Sequence, residues 1–174
     1  MTRYHPALVT LHWLLALMIL GALIGGAFSL DPIPEDSPEK IGVLRLHMSF
    51  GLAIFALMLL RLAVRLRTPH PPPADIGNEA LNQVAPWLHW TFYALVFGLA
   101  ASGLAMAAEA GLFGIVFGGA PGPVPELDTL RPRTGHGLFA LVLALMIAGH
   151  VGAALYHQLV RRDRLMRRMG FGRD

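Results

Sequence analysis

The 174-residue chain contains no cysteine, and only 14% of it is charged. Without a thiol there are no disulfides, no thiolate metal site, no iron–sulfur cluster and no C-x-x-C-H attachment of c-type haem. Long stretches also lack charge: no Asp, Glu, Lys or Arg occurs in Tyr4–Leu30, Ala80–Ala108 or Thr134–Val160. A helix needs about 20 such residues to cross the hydrocarbon core. A fourth stretch, Leu46–Leu60, is shorter, but Arg45, Arg61 and Arg65 can snorkel to extend it. With 55% hydrophobic residues and a mean hydropathy of +0.54, this is the composition of an integral membrane protein.

These runs predict an all-α fold: one domain over residues 1–174, an integral membrane four-helix bundle with helices at about 8–28, 41–66, 86–108 and 134–161. The first run exceeds an ordinary signal-peptide core and carries His12 and Trp13, so it reads as a retained helix. Thr68-Pro69-His70-Pro71-Pro72-Pro73-Ala74-Asp75 cannot continue a helix and reads as a stiff connector. Leu112–Phe117, inside the Gly- and Pro-rich stretch Glu109–Pro132, is expected in the membrane interface.

Charge predicts the orientation. Arg3, Arg61, Arg65, Arg67, Arg161, Arg162, Arg164, Arg167, Arg168 and Arg173 fall on one side. Lys40, Arg45, Arg131 and Arg133 fall on the other, beside Asp31, Glu35, Asp36, Glu39, Glu109, Glu126 and Asp128. By the positive-inside rule, both termini are expected in the cytoplasm. The basic pI reflects these edge arginines, so it does not point to nucleic acid.

Four histidines lie within the apolar runs: His12, His47, His136 and His150. An ionisable ring in a membrane span is costly and marks a functional site by default. In the up-and-down order, His12 and His150 share the depth near the termini, while His47 and His136 share the opposite depth. His136 and His150 are 14 residues apart, about 40° short of four full circles, so they share a face at about 21 Å separation along the axis. Each depth offers two imidazoles and neither carboxylate nor thiol. That set suits axial ligation of two stacked haems better than zinc, which usually wants four protein ligands. Gly21, Gly25, Gly51, Gly135, Gly137, Gly149 and Gly152 leave room for a flat ring, although small-residue helix packing explains them equally well.

The other histidines read differently. His5 and His157 each lie seven residues beyond a haem-ligand candidate, on the ligand faces, where they suit a quinone carbonyl or a haem propionate. His89 lies between Trp87 and Trp90, which interface anchoring alone explains, and His70 reads as a solvated loop residue.

Thr10-Leu11-His12-Trp13, Leu46-His47 with Gly51, and Gly135-His136…Gly149-His150 with His157 resemble the bacterial four-helix cytochrome b561 family over essentially the whole chain. The resemblance implies a di-haem b electron carrier, multi-pass in the bacterial inner membrane, that exchanges electrons with ubiquinone. The small free-standing members act as superoxide oxidases, oxidising periplasmic superoxide and reducing ubiquinone. On this reading His12 and His150 bind one haem iron, and His47 and His136 the other. Quinone is expected beside His157, with Arg3, His5 and His89 nearby.

Two axial imidazoles leave no open iron position, which leaves outer-sphere electron transfer. The basic residues Lys40, Arg45, Arg131 and Arg133 all lie within seven positions before His47 or His136. They could draw superoxide to that spot, with Arg133 and Arg45 foremost, or they could pair with propionates or snorkel. Three readings compete: a superoxide:ubiquinone oxidoreductase, a cytochrome b anchor subunit serving a hydrogenase or dehydrogenase partner, and a small non-haem transporter. A homo-oligomer or a redox partner protein is compatible with the first two.

Overall fold

The computed structural model describes residues 3–72, 77–120, 123–163 and 165–170, with the side chain of Leu81 left aside. Pro73, Ala74 and Asp75 of the connector, and Arg164 and Arg173 of the basic set, therefore lie outside the described residues. The described chain is helical: α1 Pro6–Gly25, α2 Pro38–Arg67, α3 Glu79–Glu109, the short α4 Leu112–Val116, and α5 Arg131–Leu155. Four helical spans, Pro6–Leu30, Pro38–Arg67, Asn82–Glu109 and Arg131–Arg161, are long and apolar enough to cross a membrane.

The helices start earlier than the uncharged runs suggested, because charge and proline are compatible with a first turn. Pro38 opens α2 behind Ser37, whose hydroxyl accepts from the Glu39 amide at 3.4 Å. Pro132 similarly sits in the first turn of α5. In α3 the helix begins at Glu79, seven residues before the expected start at Pro86, which lies inside it. Membrane helices accommodate such a proline, since neighbouring groups can satisfy the freed carbonyl. Two of the long helices end in π-helical turns, Gly26–Leu30 after α1 and Tyr156–Arg161 after α5. Arg162, at φ 54°, stops the second by entering the left-handed region.

The helices pack chiefly as two hairpins, α1 on α2 and α3 on α5. Leu15, Ile54, Met58, Tyr93, Leu95, Val96 and Leu143 form the mid-bundle core. Gly98 allows α3 to approach α5, since a methyl there would come within 2.9 Å of the Phe139 ring. A second core of Leu44, Ala107, Leu112, Val116, Val124 and Leu127 closes the far end. There α4 buries Leu112 and Val116 and turns Phe113 and Phe117 outward. Large apolar side chains such as Leu17, Phe28, Leu60, Leu138 and Leu145 are exposed around the bundle, as a lipid-facing surface requires.

Hydrogen bonds tie each end of the bundle. Tyr4 donates its amide to Arg168 O (3.1 Å), Trp13 Nε1 donates to Met169 O (2.9 Å), and Arg168 Nη1 donates to Pro72 O (2.7 Å). This gathers the start of α1, the end of α2 and the C-terminal turn at one end, called the basic end below. At the acidic end, Arg45 Nε donates to Val116 O (2.7 Å) and Arg133 pairs with Asp31 (2.7 Å).

Candidate haem sites

Helix α5 contributes a histidine to each depth and presents both to the opposite hairpin. At the basic end the rings of His12 and His150 have centroids 6.4 Å apart with planes at 71°. At the acidic end His47 and His136 are 6.2 Å apart at 68°. Two imidazole nitrogens each about 2 Å from a shared metal, with each centroid about 1.1 Å behind its nitrogen, would place the centroids about 6.2 Å apart. The ring spacing at both depths therefore fits one metal between two trans imidazoles. Among the described residues no three His, Asp or Glu side chains are grouped to hold a bare ion. The donor set suits a metal whose other ligands come with it, as in haem.

Further contacts fix the acidic-end rings. His136 Nδ1 lies 3.1 Å from Leu99 O and 3.1 Å from Ser102 Oγ. A carbonyl only accepts, so Nδ1 carries the hydrogen and Nε2 keeps its lone pair for a metal. Among the described residues the glycines that adjoin the histidine rings are Gly26 and Gly103, where a methyl would stand 3.3 Å from His47 Cε1 and 3.2 Å from His136 Cε1. Neither was singled out in the sequence. Gly21, Gly25, Gly51, Gly135, Gly149 and Gly152 instead have open space where a side chain would start, and Gly137 adjoins the Arg133 side chain.

The basic-end pair has a third imidazole beside it. The His89 ring is centred 6.2 Å from that of His150, and its Nδ1 lies 2.8 Å from Ala85 O, again leaving Nε2 available. Distance alone does not rank His12 above His89. The helices do: His12 belongs to the opposite hairpin, as His47 does at the other depth, whereas His89 sits on α3, already packed on α5. Phe92 also borders His150, at 5.4 Å.

The residues expected around a quinone differ in their surroundings. His157 is buried at 8% exposure, and its Nδ1 donates to Asp163 Oδ2 at 2.5 Å. Arg161 Nε lies 3.6 Å from the same carboxylate oxygen. The His157 hydrogen bond is the main cause holding the Asp163 carboxyl below the usual carboxylate range; partial desolvation opposes it, and the Leu165 amide and Arg161 reinforce it. Asp163 has no periodic or motif signal, since it follows the left-handed Arg162 rather than lying on a helix face. His5 is exposed and spends Nδ1 on the Ala7 amide, as the cap of α1. Arg3 lies at the same end. His70 packs edge-on against Tyr4 at 6.0 Å, and burial together with Arg65 pushes its imidazole pKa down.

The acidic-end cations are less free than the sequence suggested. Lys40 is only 4% exposed: Nζ donates to Leu30 O (3.1 Å) and Ile33 O (2.8 Å) and lies 3.3 Å from Glu35. It clamps the α1–α2 loop and is removed from the expected surface patch. Arg133 pairs with Asp31 at 2.7 Å and Asp128 at 3.2 Å, so two carboxylates compensate its charge. Arg45 and Arg131 remain exposed.

A four-helix membrane bundle with paired histidines at two depths defines a class of b-type cytochrome. Residues 3–172 match the family described as prokaryotic cytochrome b561, and the chain belongs to that family. It is 28% identical over 172 residues to the probable superoxide oxidase CybB of Yersinia pestis, covering 96% of this chain and 95% of that one. It is 25% identical over 174 residues to cytochrome b561 homolog 1 of Escherichia coli K12 (97% of each chain). Cytochrome b562 of Cereibacter sphaeroides is 30% identical over 170 residues (95% and 94%). The protein is a multi-pass bacterial inner-membrane haem b protein of electron transfer.

Proposed function

We propose that this chain is a superoxide:ubiquinone oxidoreductase with two haems b, its basic end in the cytoplasm and its acidic end in the periplasm. The observation that carries the two-haem reading is the matched ring spacing of His12 with His150 and His47 with His136. Those four residues would hold the irons. Haem b, when bound, would supply a one-electron couple.

The overall reaction balances as two superoxide anions, one ubiquinone and two protons giving two O2 and one ubiquinol. At the acidic end Arg45 and Arg131 raise the local concentration of the anion, while Arg133, held by Asp31 and Asp128, positions the loops over His47 and His136. At the basic end His157 is the quinone partner, with His89, Arg3 and His5 at the same end. Asp163 accepts from Nδ1 and so turns Nε2 toward the substrate task. With a second proton on the ring, Nε2–H donates to a quinone carbonyl. After releasing that proton to the oxygen, Nε2 accepts from the hydroxyl that forms. Cytoplasmic water then reprotonates the ring.

The test is purified protein assayed for haem content and for ubiquinone-analogue reduction driven by superoxide. Two haems per chain and quinol formation without a partner are expected. A coloured protein that turns over only with a co-purifying dehydrogenase would overturn the enzyme reading in favour of the anchor subunit.

A further inference from the structure

Arg61 carries a positive charge into the bundle, and among the described residues no carboxylate pairs with it. It is half-buried on α2, and its Nη1 donates to Leu8 O at 2.9 Å. Leu8 lies one helical turn before His12, so the guanidinium sits beside the basic-end histidine pair on its terminal side. Among the described residues, the charged or titratable groups within its electrostatic reach are His12, His89, Arg65, Tyr4 and Tyr93, and none is a carboxylate. Lys40, Arg133 and Arg161 by contrast each have a carboxylate partner.

A second group faces the same place. Tyr93, one turn after His89 on α3, is 6% exposed; its hydroxyl interacts electrostatically with the Arg61 guanidinium but has no partner at hydrogen-bond geometry among the described residues. An unpaired charge and an unsatisfied hydroxyl are each costly in a water-poor interior. One acceptor with negative charge relieves both. A guanidinium has five N–H donors in a fork that matches a carboxylate, and Arg61 commits one of them, on Nη1, to Leu8 O.

We propose that Arg61 and Tyr93 form a carboxylate site beside the basic-end pair, and that its ligand is a propionate of the haem held by His12 and His150. The inference rests on that ligand reading. Its function is electrostatic: the cation compensates the propionate and favours the reduced, more electron-rich state of the neighbouring couple.

The test uses purified holoprotein in nanodiscs, with haem carboxylates labelled with carbon-13, and redox-difference infrared spectroscopy on wild type, Arg61→Gln and Tyr93→Phe. Isotope-sensitive carboxylate bands should shift in both variants. The basic-end midpoint potential should fall, more in Arg61→Gln than in Tyr93→Phe, while the acidic-end potential stays, showing an intact bundle. If Arg61→Gln fails to assemble, Arg61→Lys and Tyr93→Phe carry the same comparison. Labelled bands and potentials that ignore all variants overturn the site. Unmoved bands with weakened ubiquinone-analogue affinity overturn it in favour of quinone. Unmoved bands, with the variant potential reproduced by omitting anionic lipid, overturn it in favour of a headgroup phosphate. A His12→Ala protein that keeps both haems would instead defeat the underlying ligand reading, whatever Arg61 does.

Discussion

The two ends of the bundle handle charge in opposite ways. At the acidic end, Lys40 and Arg133 are each met by protein carboxylates, and the His136 ring is pinned by Leu99 and Ser102. At the basic end, Arg61 has no carboxylate in reach among the described residues, a third imidazole adjoins His150, and a buried histidine is held by an exposed-side acid, Asp163. A site meant to receive a small anion and release a neutral product needs little more than a local field. A site that binds a two-electron, two-proton acceptor needs groups able to hold and give protons. The asymmetry matches that division, and it can be broken one end at a time.

The largest effect should come from the ligands. His12→Ala should remove one haem and His136→Ala the other, leaving one haem per chain by absorbance in each case. His89→Ala should leave both. If His89→Ala removed the basic-end haem and His12→Ala left both, the basic-end pairing would be His89 with His150. Next in size is the proton-handling group: a positioned general acid contributes about 100-fold or more. His157→Ala should slow quinone reduction by about that factor while superoxide still reduces both haems. Equal slowing of haem reduction would mean that the defect lies at the wrong end.

Much of the plan was legible because the bilayer leaves few choices. Uncharged runs long enough to span, and arginine on one side, forecast four helices and their order. The depth match of the four histidines followed from that order and from the α-helical period, with no tertiary information. What stayed hidden depends on contacts between segments. Lys40 reads as a surface cation until Leu30, Ile33 and Glu35 fold around it. Gly26 and Gly103 look like any other small residues until the rings of His47 and His136 lie on them. Asp163 follows a left-handed Arg162, so no periodicity could place it under His157. Pro86 misled in the other direction, since a proline suggests a start where the helix in fact continues.

The next comparison sharpens the acidic end. Arg133 lies nearest His136 in sequence, yet Asp31 and Asp128 already offset its charge. Charge reversal at Arg45 or Arg131 should therefore lower the superoxide-driven rate more than Arg133→Glu lowers it through charge alone. Steering of small anions spans about 10-fold and upward in rate, and about 0.15 M salt screens it beyond about 8 Å. Stopped-flow haem reduction across ionic strength should show a slope that Arg45→Glu flattens. A rate indifferent to salt in wild type would remove steering from the acidic end.

The smallest expected effect concerns the turn that closes the basic end. Asp163 holds His157 on one side and accepts the Leu165 amide at 3.2 Å on the other, so it joins α5 to the turn bonded to Tyr4 and Trp13. Its carboxyl is held below the usual carboxylate range, chiefly by His157. A depressed folded value means that the carboxylate stabilises the closed turn at pH above the ordinary carboxylate value. That contribution is lost as pH falls through the depressed one. Amide hydrogen exchange at Tyr4 and over residues 165–170, compared between wild type and Asp163→Asn at each pH, isolates this contribution. At neutral pH the variant should exchange a few-fold faster. The two proteins should converge once the pH lies below the carboxylate range. A difference that persists there would mean that Asp163 acts through packing rather than charge, and the turn would then close the basic end without the His157 pair.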